Sequence, residues 1–296
     1  MMGALLAALA GAAFAAGARA QELAVTLTPA VVVAGAPELI RVSAPGTATV
    51  DGDWMGRKLE FFRGRDGRAW FALAGVDVES QVGPSTLKIT IQMGGSGGTR
   101  ELSRTVEIEA AHYRTETLTV APQFVEPDPA ELKVIEAEVQ LKDKIFAVSA
   151  PEPLWSGDFK APVNAAPTDS FGTRRVFTGE PGNNGELASV HKGMDFRART
   201  GTPVRASNSG VVVLARRLYY EGNCVAIDHG LGLFTISMHL SRIDVREGQR
   251  VVTGQRVGLS GATGRVTGPH LHWAVRWQGA YLDPAKLLRM DLGGVR

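Results

Sequence analysis

Four histidines and one aspartate form three short polar clusters in the C-terminal half of the chain. The first cluster holds His191 and Asp195, the second holds His239, and the third holds His270 and His272. Imidazole and carboxylate groups bind zinc and also transfer protons. A single histidine is more often a structural residue, but three such clusters in one segment favour a site that does chemistry.

The spacing within the clusters fits a metal site. Residues two or four apart in an extended strand face the same side, so His270 with His272, and His191 with Asp195, can point into one cleft. Two imidazoles and one carboxylate make a three-ligand site that leaves a fourth position for water, as in catalytic zinc enzymes. Four histidines and one aspartate exceed that need, so two histidines remain as outer acid, base or oxyanion donors.

Short apolar segments between the clusters predict the elements that position them. They are mostly bounded by glycines and predict antiparallel strands at residues 211–214, 225–227, 233–236 and 272–275. We place this domain at residues 170–288.

The preceding chain predicts a second β domain and a linker. Alternating segments separated by turn residues predict an immunoglobulin-like β-sandwich at residues 21–120, which contains no catalytic cluster. Residues 121–169 should form a helix and a proline-rich connection. Asp128 can cap that helix, which should run to about Phe146. The expected fold class is therefore mainly β.

Composition and residues 1–20 limit the class of protein to which this chain can belong. The 296 residues are 44% hydrophobic and 21% charged, with Cys224 as the single cysteine, which excludes a disordered tail, an intrachain disulfide and a cysteine-rich zinc cluster. Residues 1–20 resemble a signal peptide, with an apolar run too short to span a bilayer. We therefore expect an exported protein of the periplasm or cell envelope, with no membrane span in the mature chain.

The clusters and the residues around them resemble a known family. The pattern His191-x-x-x-Asp195, the segment His239-Leu240-Ser241 and residues 261–272 are similar to three signatures of the lysostaphin-like zinc metallopeptidases with LytM-type domains. The similarity covers about residues 170–288 in the family's order. It implies a small antiparallel β domain with a groove, which hydrolyses peptide bonds in bacterial peptidoglycan.

The resemblance also implies roles for the five residues. One zinc ion per chain would be held by His191, Asp195 and His272, with His239 and His270 as the catalytic residues around it. A zinc-activated water would be the nucleophile. Which histidine is the general base stays open.

Two further positions, His229 and Ser237, bear on the resemblance to the family. His229 belongs to a turn pattern of the family and is expected to be structural. Ser237 stands where many members have a tyrosine, which removes no metal ligand.

Several alternatives accompany this prediction. A LytM-type regulator that activates another wall hydrolase, or a wall-binding module, would use the same fold without catalysis. Regulators generally lack one or more of the five residues, and this chain keeps all of them. The expected partners are peptidoglycan peptide stems rather than nucleic acid, and the oligomeric state is unknown. The N-terminal half could occlude the groove or serve as a spacer.

Overall fold

A computed structural model describes residues 23–168, 170–178 and 187–295. The predicted signal peptide at residues 1–20 lies outside the described residues. Strands dominate the described chain, which confirms the mainly β fold class. Within this part of the chain, no helix is both long and apolar enough to cross a membrane.

The N-terminal strands form two sheets. One sheet has the order β1-β3-β7-β6 and the other β2-β9-β8-β4-β5, and buried residues of both belong to one hydrophobic cluster. Their bounds are β1 Ala24–Thr28, β2 Val32–Val33, β3 Pro37–Ser43, β4 Thr49–Trp54, β5 Arg57–Leu59, β6 Phe62–Arg63, β7 Ala69–Gly75, β8 Gly83–Gln92 and β9 Thr99–Glu109. The immunoglobulin-like assignment and the domain boundaries stay predictions.

The predicted helix begins and ends where its sequence signals lie. Helix α1 spans Pro129–Phe146, after strand β10, Thr115–Thr119, and a 3₁₀ turn at Pro122–Phe124. The Asp128 carboxylate accepts hydrogen bonds from the backbone N–H groups of Ala130 and Glu131, and the Glu131 side chain accepts one from the Asp128 N–H. This reciprocal capping satisfies donors that the first helical turn would otherwise leave free.

The C-terminal half is built on a larger antiparallel sheet. Its order is β13-β21-β17-β16-β15-β19, with β22 paired to β21, beside two smaller sheets of order β10-β11-β12 and β14-β20-β18. The bounds are β11 Arg174–Thr178, β12 Leu187–Val190, β13 Met194–Phe196, β14 Pro203–Arg205, β15 Gly210–Leu218, β16 Gly222–Asp228, β17 Leu233–Leu240, β18 Arg242–Ile243, β19 Arg250–Val251, β20 Arg256–Leu259, β21 Leu271–Trp277, β22 Ala280–Leu282 and α2 Pro284–Leu287.

Both halves of the chain contribute to this C-terminal structure. Strand β10 pairs in parallel with β11. Each residue of β10 lies opposite a residue 59 positions later in the chain. Ile145 and Phe146 at the end of α1 pack on the sheet, where buried Cys224 lies. The Asp283 N–H, next to α2, donates to the Gly35 carbonyl at 2.7 Å. The chain before residue 150 is therefore packed onto the predicted catalytic domain.

Candidate metal centre and active site

Strand register brings the three predicted metal ligands together. Asp195 on β13 lies directly opposite His272 on β21. Cross-strand partners are neighbours on one face of a sheet, so these side chains meet although 77 residues separate them. His191 precedes β13 in the loop after β12 and points to the same place. The site is thus assembled at one edge strand of the large sheet.

The potential ligand atoms of these residues converge closely. His191 Nε2 lies 2.8 Å from His272 Nδ1 and 3.2 Å from Asp195 Oδ1, and the last two atoms are 3.0 Å apart. All three lie within 4.8 Å of one another. A single cation of the size of zinc can contact atoms grouped in this way.

Neighbouring groups orient these three side chains. His191 Nδ1 lies 2.8 Å from the Ser170 carbonyl, which can only accept, so Nδ1 carries the proton and Nε2 presents a lone pair to the centre. Asp195 uses Oδ1 toward the histidines, while Oδ2 accepts a hydrogen bond from Arg175 Nη2 at 2.8 Å. A side chain at Gly193 would collide with the His272 ring, which explains the glycine there.

His239 and His270 stand next to the three predicted ligands. Their ring centroids are 4.9 Å apart, and the His239 ring is 6.0 Å from that of His272. His239 Nδ1 lies 2.8 Å from the Thr263 carbonyl, and His270 Nδ1 lies 2.8 Å from the Gly268 carbonyl. By the same argument both histidines are protonated at Nδ1, which leaves each Nε2 able to accept a proton.

The backbone at His239 is unusual. Its φ angle is 61°, in the left-handed region that residues other than glycine rarely adopt. The strained position coincides with a register shift between β16 and β17 and turns this side chain toward the other histidines. Such outliers concentrate at functional sites.

Burial and mutual proximity determine the protonation of these groups. Burial, with the nearby His272 and His270, lowers the pKa of His239 to about 3. Burial likewise lowers the pKa of His272 to about 4. Burial alone would raise the pKa of Asp195, but the close imidazoles of His191 and His272 outweigh it and hold that pKa well below its usual range. A carboxylate beside neutral imidazoles is the form that binds a metal.

The five residues line one cavity of about 990 Å³. Part of its wall comes from the N-terminal half, through Glu116, Leu118 and Val120 on and after β10. Exposure alternates along β10, so Glu116 and Leu118 face inward while Thr117 faces solvent. A cleft of this size accommodates a peptide segment.

Comparison with known families identifies the domain that carries this site. Residues 189–284 match Peptidase family M23. The chain therefore contains an M23 domain. The matched segment lies within the predicted catalytic domain and contains all five site residues.

Several proteins similar to this chain carry related names. ShyA, a peptidoglycan DD-endopeptidase of Vibrio cholerae, is 51% identical over 96 residues, which are 32% of this chain and 22% of ShyA. Mpg, a DD-carboxypeptidase/endopeptidase of Neisseria meningitidis, is 43% identical over 98 residues, which are 33% of this chain and 23% of Mpg. The chain thus matches about a fifth of the length of these curated relatives.

A solved structure extends the likeness beyond the M23 domain. The crystal structure of a putative peptidase M23 from Pseudomonas aeruginosa shares 28% identity with a TM-score of 0.61. The alignment covers 83% of this chain and 95% of that one. Coverage of this extent includes strands that precede the M23 domain.

Four further polar and aromatic residues of this domain, Tyr219, Tyr220, Asn223 and Trp273, lie in different environments. Of these, Tyr220 lines the cavity. Trp273 is instead fully buried in the core, Asn223 Nδ2 donates to the Leu240 carbonyl, and the Tyr219 hydroxyl donates to the Gln123 carbonyl. His229 is fully buried within hydrogen-bond distance of the Ser209 carbonyl and the Thr235 hydroxyl, as a structural histidine would be.

Sequence reasoning missed an arginine that contacts the centre. Arg175 on β11 bridges Asp195 and Glu116, with Nη2 on Asp195 Oδ2 and Nε 2.9 Å from Glu116 Oε1. It lies 20 residues before Asp195, outside the histidine clusters, and the only local signal is the adjacent pair Arg174-Arg175. Its partners become visible only when β10, β11 and β13 are assembled.

Proposed function

We propose that this protein is an exported zinc metalloendopeptidase that hydrolyses peptide cross-links in bacterial peptidoglycan. The observation that carries the proposal is the convergence of His191, Asp195 and His272 in one cavity with two further histidines. Peptidoglycan as the substrate is supported by the names of ShyA and Mpg. Export is supported by the residue pattern of positions 1–20.

The donor set fits zinc better than a hard cation. Two imidazole nitrogens and one carboxylate oxygen are typical ligands of catalytic zinc, whereas magnesium and calcium prefer oxygen. His191 presents an unprotonated Nε2 because its other nitrogen donates to a carbonyl. We therefore assign His191, Asp195 and His272 as the ligands of one zinc ion.

The two remaining histidines of the site, His239 and His270, transfer protons. Zinc, when bound, acts as a Lewis acid that polarises the scissile carbonyl and lowers the pKa of water. Nε2 of His239 or of His270 accepts the proton of the attacking water. The other histidine stabilises the developing oxyanion and delivers a proton to the leaving amine. The carbonyls of Thr263 and Gly268 keep both rings oriented for these transfers.

Metal analysis combined with a cleavage assay tests the function. The purified protein should contain one zinc per chain and release soluble muropeptides from isolated peptidoglycan by breaking peptide bonds. The His272→Ala variant should lack both the metal and the activity. A protein that binds zinc, releases no product and instead activates a separate hydrolase would be a regulator, and the proposal would be wrong.

We further propose that the N-terminal half limits access to this groove. The support is the position of β10, whose Leu118 lines the cavity and whose Glu116 is joined to Arg175 beside Asp195. Deleting the chain before residue 151 would remove a strand from the β10-β11-β12 sheet and disturb the site itself. A reversible covalent lock, here a disulfide that holds β10 on β11, tests access to the groove without this disturbance.

Thr117→Cys combined with Val176→Cys provides that lock. These residues are directly opposed in the β10–β11 ladder, and neighbouring strands are close enough for a disulfide. If β10 must move aside, oxidation should lower peptidoglycan hydrolysis at least about tenfold by reducing the open fraction, and reduction should restore it. The wild-type protein under the same treatments is the control. Equal activity in both redox states would assign β10 a positioning role.

A further inference from the structure

Arg265 is a cavity-lining residue that neither the ligand set nor the proton transfers use. It lies in the loop between β20 and β21, and its backbone N–H donates to the Tyr220 carbonyl at 2.9 Å. The preceding Thr263 is tied to Asn223 N–H and to the Leu240 carbonyl through its hydroxyl. This segment of the loop is therefore held firmly against the beginning of β16.

Two aromatic rings hold the Arg265 guanidinium. Its central carbon lies 4.1 Å from the centroid of the Phe177 ring and 4.5 Å from that of the Tyr220 ring. Both rings line the cavity. Stacking on aromatic faces orients a guanidinium and leaves the N–H groups at its edge available for hydrogen bonds. The side chain is therefore preorganised at the wall of the groove.

The charge of Arg265 has no carboxylate partner among the residues that the structure describes. Among residues 23–168, 170–178 and 187–295, no Asp or Glu oxygen lies within 4.0 Å of its guanidinium, whereas Arg175 in the same cavity pairs with two carboxylates. The nearby Glu221 is already ion-paired with Lys142. A half-buried cation with no carboxylate in contact is costly, and burial lowers the pKa of Arg265. The site is thus complementary to an anion from outside.

We propose that Arg265 binds a carboxylate of the peptide substrate and makes the enzyme selective for free over amidated peptide stems. The inference rests on the proposed peptidase function. Arg265 lines the same cavity as His270, which lies five positions later in the sequence, so a peptide bound at the proposed site would lie beside Arg265. A planar guanidinium donates two parallel hydrogen bonds to the two oxygens of a carboxylate, whereas a neutral amide has one accepting oxygen and an NH2 group that cannot accept the second bond. The carboxylate is either that of an acidic side chain or that of a chain terminus.

Matched synthetic substrates test the proposal. One cross-linked peptide has all carboxylates free, a second is amidated at the side-chain carboxylate, and a third at the terminal carboxylate. The wild-type protein should lose about 10- to 100-fold in kcat/KM with one of the two amidated peptides, which identifies the carboxylate. In Arg265→Met the ratio between the free and that amidated peptide should fall to about one.

Further variants separate recognition from folding. Arg265→Lys keeps the charge but loses the planar fork and should recover only part of the ratio. Tyr220→Leu removes one stacking ring and should lower the ratio without removing the charge. Arg217→Met, the same change at an exposed residue of β15, should keep the wild-type ratio. Zinc content of each variant reports on the integrity of the site.

The outcomes distinguish this proposal from the one on which it rests. A wild-type protein that cleaves none of the three peptides contradicts the proposed peptidase function. Equal cleavage of all three by the wild type, or an unchanged ratio in Arg265→Met, overturns the role of Arg265 while leaving the peptidase function intact.

Discussion

His239→Ala and His270→Ala should each lower peptidoglycan hydrolysis about 10²- to 10⁴-fold, the usual contribution of a positioned acid or base, while zinc content stays at one per chain. Neither ring is one of the three converging donors, so the metal should remain. His272→Ala should instead lose zinc and activity together. Metal content by elemental analysis and initial rates on isolated peptidoglycan provide the two measurements.

The left-handed backbone at His239 requires a matched variant. Alanine at a φ of 61° adds backbone strain, whereas asparagine tolerates that region. His239→Asn should therefore match the rate loss of His239→Ala with a smaller loss of thermal stability. Because the two histidines act as a unit in one catalytic cycle, the double variant should be much less impaired than the product of the single effects. Release of zinc from His239→Asn would contradict the division of roles.

Glu38→Gln should stabilise the protein increasingly as pH rises. Glu38 lies on β3, is fully buried, and neither of its carboxylate oxygens has a hydrogen-bond partner among the described residues. Burial raises its pKa to about 8, and Lys286 next to it opposes the shift only in part. The folded state therefore keeps a proton that the unfolded chain releases above about pH 4.5.

The sign of the pH dependence follows from this proton. Between about pH 4.5 and 8 the folded protein binds one more proton than the unfolded chain at this site, so rising pH favours unfolding by about 1.4 kcal/mol per pH unit. Glutamine cannot ionise, so the stability advantage of Glu38→Gln should grow by roughly 3 kcal/mol from pH 5 to 7. Urea unfolding at both pH values measures it, with Glu101→Gln at an exposed position of β9 as the control. A pH-independent difference would contradict the buried proton.

Local patterns in the sequence were sufficient to predict parts of the fold and the composition of the centre. Asp128 and Glu131 specify the start of α1 because capping involves residues three positions apart. Strand alternation predicted the mainly β class, and the histidine clusters predicted which side chains meet. These features depend on neighbours along the chain, so they can be recognised without knowing how distant segments pack.

Other features were decided only by the tertiary structure. The Arg175–Asp195 contact, the wall contributed by β10 and the burial of Glu38 all depend on segments that are distant in sequence. The left-handed backbone at His239 arises where the ladder between β16 and β17 shifts register. Strand pairing and burial are set by the packing of the whole chain, in which one residue type can be exposed, paired or buried. The amino-acid sequence of this protein thus predicted the chemistry of the centre, whereas the tertiary structure determined its orientation, its access and its unpaired charges.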